Sequence, residues 1–199
     1  ANYFLAVVKS KEASKNLYDP KEAYVLINTA KAIYGSIVEI KLLNKLDKIP
    51  INITAFRSLT DTVCRAALFD AQKANTLQGY LDYLSFYKIA PEKYKIKAIA
   101  QRNRLAFENA KKDNTIESFQ AFIDNYPSAV DKKEAMERRD ALAFENAKKN
   151  NTVESFQVFI DTYPYSRLIE SAKGKRNLLA LERAKEINTS SAYKRYIDL

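Results

Sequence analysis

The chain has 199 residues, no His, one Cys, three Gly, five Pro and a formal net charge of +9. The missing His and the lone Cys64 exclude an internal disulfide, a Cys-based metal site and imidazole acid–base or triad chemistry. So few Gly and Pro disfavour a chain of many short strands and tight turns, and helix is favoured from the start.

No apolar run approaches the ~20 residues needed to span a bilayer, and no signal-peptide pattern opens the chain. Ala1 is not an initiating Met, which reads as a processed product or an excised piece. In DPKEAYVLIN, Asp19 suits an N-cap, Pro20 the first helical position and Glu22 the first turn. This helix is expected to reach Lys45, with a kink at Gly35-Ser36. A loop from Asp47 to Ile51 then leads into another helix running to about Lys73. Within it, Cys64 reads as a small core residue, because no neighbour that would stabilise a thiolate is evident.

LFDAQKANTLQGYLDYL, from Leu68, is the first echo of a repeat. Phe69 answers Phe107, Thr76 answers Thr115, and Tyr80, Tyr83 and Leu84 answer Phe119, Phe122 and Ile123. A few extra residues precede Pro91, so this short helix is longer than its successors. On the helix that begins near Pro91, Lys93, Lys97, Arg104 and Lys111 fall on one stripe at 100° per residue. Residues 63 to 112 carry ten Lys or Arg against four Asp or Glu. An acidic protein segment, a phosphate or an anionic lipid surface could use such a stripe; the plainer and favoured reading is a solvated helix face.

The repeat itself is written twice. LAFENAKKDNTIESFQAFIDNYP begins at Leu105 and LAFENAKKNNTVESFQVFIDTYP begins 37 residues later at Leu142, with 19 of 23 positions identical. A worn copy, LALERAKEINTSSAYKRYIDL, begins at Leu179, another 37 residues on. Each copy reads as two helices. Thr115 suits an N-cap and Glu117 the positive end of the helix dipole, while Ile116, Phe119, Phe122, Ile123 and Tyr126 make one apolar stripe. Tyr126-Pro127 closes the short helix. Ser128 is expected to cap the longer helix, which runs to about Lys149, where Lys148 and Lys149 meet its negative end. Thr152, Val153, Phe156, Phe159, Ile160, Tyr163 and Pro164 repeat these roles. Helix breaks are therefore expected near 113–115, 126–128, 150–152, 163–165 and 187–189. A short helix buries too little apolar surface to offset its own ordering, so neighbouring copies must supply the rest of the core.

Arg102, Arg139 and Arg176 share one position of the repeat. Arg139 has Ala135 and Ala143 four residues to either side and Leu142 three residues on, so it points into the packed face. A charge there must be paired or must snorkel. A structural ladder tying helices together is favoured over a row of anion hooks along a groove.

These features give an all-α chain, a right-handed α-solenoid of stacked antiparallel helix pairs with a 37-residue period. It forms one domain over 1–199: divergent helices over 1–62 and recognisable repeats over 63–199. The last repeat is truncated where Tyr-Pro is due, which implies a longer parent. The phrase F-x-x-F-I-D-x-Y-P followed by Ala135 or Ala172 resembles the tetratricopeptide-like repeats of bacterial envelope proteins, over roughly Leu68 to Leu199. The period of 37 departs from the usual 34, and the Trp-Leu-Gly-Tyr signature is absent, so no groove residue is carried over. The resemblance implies a module that holds another protein or peptide, in a periplasmic or outer-membrane-associated setting. No cofactor, metal or catalytic residue is expected: there is no Gly-rich phosphate loop and no metalloprotease motif. As a fragment the chain is expected to be monomeric. A nucleic-acid-binding helical repeat is the alternative. Against it, residues 113 to 149 hold eight acids and six bases, and no basic stripe runs the length of the chain.

Overall fold

The computed structural model describes residues 2–10, 18–37 and 52–199. It is all-helical, with no strand among the described residues. Among the described residues ten helices follow in order: α1 (Asn2–Lys9), α2 (Pro20–Gly35), α3 (Ile53–Ala74), α4 (Leu77–Phe86), α5 (Glu92–Asp113), α6 (Ile116–Asn125), α7 (Lys132–Asn150), α8 (Val153–Thr162), α9 (Ile169–Ile187) and α10 (Ser190–Ile197). Their contacts form two compact units, Ala1–Leu105 and Ala106–Leu199.

In the first unit α1 packs on α2, α2 on α3 and α3 on α4. Asp19 caps α2, its side chain accepting from the Glu22 N–H with Pro20 in the first turn. The kink expected at Gly35-Ser36 is instead the end of the helix. Ser36 donates its N–H to the Ala32 carbonyl and its hydroxyl to that of Ile33, 2.8 Å away, so the side chain competes for the last-turn acceptors. Lys45 and the loop from Asp47 to Ile51 lie outside the described residues.

The core of this unit joins Ala6, Ile27, Phe56, Val63 and Cys64 to several tyrosines. A buried phenol needs a polar partner. Tyr83 donates to the Cys64 carbonyl at 3.2 Å, Tyr94 to Asp61 Oδ2 at 2.8 Å, and the Tyr24 oxygen accepts from the Ile89 N–H at 2.9 Å. Leu68, not Phe69, takes the buried place of Phe107, and Phe69 is 56% exposed. The expected pairing slipped by one because its register came from the shared Phe. The register is set by the helix end: Asn75 and Asn114 donate N–H groups to Ala71 and Ala110 in the same way, which makes Leu68 the counterpart of Phe107 in the repeat.

In the second unit α6 packs on α7, α7 on α8, α8 on α9 and α9 on α10. Phe119 and Phe122 meet Phe107, and Phe156 and Phe159 meet Phe144, at ring-centroid distances of 5.2 to 6.4 Å. Each long helix passes to its short successor through an Asn-Thr pair. Asn114, Asn151 and Asn188 are left-handed at φ 49°, ending a helix, and Thr115, Thr152 and Thr189 cap the next one. Ser118 and Ser155 complete capping boxes. Their hydroxyls also reach back to the Ala110 and Ala147 carbonyls of the preceding helix, at 3.1 and 3.0 Å.

Ser128 does not cap α7, which begins at Lys132. The Ala129 N–H donates to the Tyr126 carbonyl and the Lys132 N–H to that of Ala129. Two successive turns, pinned by buried Ala129, lengthen the connection and delay the helix. The Tyr163-to-Leu168 connection is built alike around buried Ser166.

Candidate functional site

The three ladder arginines are engaged within the chain. Arg139, on α7, donates from Nη1 to Gln120 Oε1 of α6 at 2.6 Å and from Nε and Nη2 to Asp140 Oδ1 at 3.0 and 2.7 Å. Its guanidinium lies 4.8 Å from the centroid of the Tyr163 ring, a cation–π distance, and its side chain is 12% exposed. Arg176 repeats the arrangement with Gln157 at 2.6 Å and Asn177 at 3.0 and 2.8 Å, and also donates to the Leu199 carbonyl at 3.2 Å. Arg102 donates to Asn103 Oδ1 at 3.1 and 2.8 Å. Gln120 and Gln157 are held in turn by Asp124 and Asp161.

The basic stripe lies on α5. Lys93 is 2.6 Å from Asp61 Oδ1 and 4.7 Å from the centroid of the Tyr94 ring. Burial opposes ionisation of Asp61, but the Lys93 ammonium and the Tyr94 hydroxyl outweigh it and hold the carboxyl below its ordinary range. Lys97 and Arg104 are exposed, and Arg104 donates from Nε to the neutral Gln101 at 3.0 Å. In the second unit, Lys111 pairs with Glu108 at 2.7 Å and lies 4.9 Å from the Phe107 ring centroid. Lys93 and Lys111 thus spend much of their charge on carboxylates beside them, while Lys97 and Arg104 present theirs outward.

Two clefts of equal volume, one from each unit, went unread in the sequence. The first has a volume of about 420 Å³. Ala67, Ala71 and Gly79 make its narrow wall, and the buried rings of Tyr83 and Tyr87, stacked at 5.0 Å, line its depth. Asp19, Lys21, Asp70 and Asp82 stand around its mouth. The second cleft, also about 420 Å³, is lined by Ala143, Ala147, Ser155, Phe159 and Tyr163. Asn151 follows Asn75 by 76 residues, and the same step carries Ala67, Ala71, Gly79, Tyr83 and Tyr87 onto these five residues. Small residues four apart on a long helix leave space that the following short helix does not fill. The signal was legible as the Ala-x-x-x-Ala spacing before each Asn-Thr pair, at 67/71, 106/110, 143/147 and 180/184.

At two positions the clefts differ in charge. Asp70 and Asp82 of the first correspond to Asn146 and Val158 of the second.

Cys64 is fully buried. Burial, with the Asp61 carboxylate adding to it, pushes its thiol up to about 12, so it carries no thiolate at neutral pH. Among the described residues no group of His, Cys, Asp and Glu is placed to hold a metal ion, and no helix is long and apolar enough to cross a membrane. In comparison with known proteins, the chain matches no family model, no curated protein and no solved structure.

Proposed function

We propose that this chain is a non-catalytic protein-interaction scaffold, a module of a larger bacterial envelope or secreted protein. Its architecture in this reading is a right-handed solenoid of antiparallel helix pairs at a 37-residue period. The observation that carries the function is the repeated cleft. Two units that differ in much of their sequence each keep an opening of the same size, with small residues on one side and rings in its depth. Packing alone would favour filling such space with a larger side chain, whereas a groove of small residues with aromatic depth suits a partner's side chains. The outward charges of Lys97 and Arg104 provide a second surface, suited to steering an acidic partner. The envelope setting rests on the F-x-x-F-I-D-x-Y-P resemblance.

A photo-crosslinking residue placed at Val158, at the mouth of the second cleft, tests the reading in the native cell. Discrete protein adducts are expected there, and none from the same residue at exposed Lys133. Adducts that are equal at both positions would overturn the cleft as the binding surface. A titration with single-stranded RNA separates the alternative: tight binding that falls steeply with salt is the signature of phosphate recognition and would replace the scaffold reading.

A further inference from the structure

We propose that the first cleft is a receptor for a lysine or arginine side chain presented by a basic segment of a partner protein. The inference rests on the scaffold reading and adds to it the chemistry of the guest. Three carboxylates, Asp19, Asp70 and Asp82, stand at the mouth against one ammonium, Lys21, a formal surplus of two negative charges on a chain of net charge +9. Lys21 is directed to the Phe86 ring, its Nζ 5.7 Å from the centroid. Each carboxylate keeps an oxygen for a guest. Asp19 Oδ1 accepts from the Glu22 N–H, Asp70 Oδ2 from the Tyr18 hydroxyl and Asp82 Oδ1 from Gln78, so one oxygen of each bears none of these bonds.

Below the carboxylates the lining turns aromatic, at Tyr83 and Tyr87. A long cationic side chain has this same division, an apolar stem and a charged head, and ring faces attract cations. Burial, and after it the nearby negative groups including Asp19 and Asp70, hold the Tyr87 phenol above its ordinary range, so the aromatic depth stays neutral while the mouth is negative. The second cleft serves as an internal control. Its volume and aromatic depth are alike, but it lacks the wall of Tyr18 to Lys21, and Asn146 and Val158 replace two of the three acids. The charge is therefore not required for building the cleft. Charge complementarity selects a basic guest for the first cleft and gives the second none.

The test uses the full chain and two short capped peptides that differ at one residue, acetyl-Gly-Lys-Gly-amide and its norleucine counterpart, followed by amide chemical shifts. The lysine peptide is expected to move Ala71, Gly79, Asp82 and Tyr83 saturably, and the norleucine peptide to leave them in place. Replacing the acids by their second-cleft counterparts, Asp70→Asn with Asp82→Val, should weaken binding roughly 5- to 30-fold, the loss of two partly exposed ion pairs. The reciprocal pair, Asn146→Asp with Val158→Asp, should bring saturable shifts to Ala147 and Phe159. Circular dichroism confirms that each variant keeps its helices. Equal shifts from both peptides would reduce the site to an apolar slot and overturn the inference. So would shifts that follow protein concentration without peptide, which would assign the cleft to a second copy, or a lysine peptide that moves nothing. Crosslinks from Val158 with no lysine binding at the first cleft would sink this inference alone and leave the scaffold standing; lysine binding without crosslinks would do the reverse.

Discussion

Arg139 carries a charge on an alanine-lined face, and its surroundings show how that is tolerated. Gln120, Asp140 and the Tyr163 ring take up the guanidinium from three directions. The alanines around it made its inward direction legible in the sequence. Its partners were not legible, because Gln120 is 19 residues away and meets it only when α6 lies against α7. Removing the arginine leaves Asp140 buried without its counter-charge. Arg139→Ala should therefore cost about 3–5 kcal/mol in urea unfolding, while Arg139→Met with Asp140→Leu should cost much less. Asp61 sets a pH dependence. Its folded pKa lies below the unfolded value, so its contribution is present above about pH 4 and is lost as pH falls through the folded value. The stability gap between the parent chain and Asp61→Asn should be full at pH 7 and close in acid, as read from denaturant midpoints.

For the helices, the stops were legible to within a residue or two, since each expected break from 113–115 to 187–189 coincides with a helix end, and the starts were legible in part. Thr115 and Thr152 were readable as caps from their type and place, and both cap. Ser128 had the right type but not the role, since the turns at Ala129 take the backbone amides first. The asparagines that end the long helices went unread, because a left-handed φ is a property of the fold and not of the residue name. Their cost can be measured. Asn151→Gly should hold or slightly raise stability, and Asn151→Val should lower it by about 1–2 kcal/mol, the penalty of a β-carbon in that conformation. Within α8, Phe156 is fully buried, so Phe156→Ala should cost about 3–5 kcal/mol. A thermal midpoint that stays put would show that the short helix does not anchor the core.

For the whole molecule, an all-helical chain was legible because the apolar positions recur at 3.6 residues and few Gly or Pro interrupt them. The clefts were not legible as clefts, since small residues mark either close packing or open space until the next helix is placed. The helix end expected at Lys45 and the loop expected from Asp47 to Ile51 fall outside the described residues. In the second unit strong helix contacts run between neighbours in sequence, so little loop closure precedes each favourable contact there. A main phase of refolding within milliseconds, monitored by far-ultraviolet circular dichroism, is therefore expected for this unit, and the absence of any phase faster than seconds would contradict this local order of assembly.

The Asn-Thr junctions have a consequence for how such a chain can grow. The Asn151 N–H bonds a carbonyl four residues back, and the Thr152 side chain serves an amide three residues on. A cut between the two residues separates the two caps and crosses one hydrogen bond, from the Ser155 hydroxyl to the Ala147 carbonyl, which Ser118 at the head of a second copy would restore. A cassette running from Thr115 through Asn151 thus carries a satisfied start at its head and a satisfied stop at its tail, and it can be duplicated in tandem without inventing a single new linker. Gene duplication would need only to respect that dipeptide seam, and an engineer lengthening the array by 37 residues would cut at the same place.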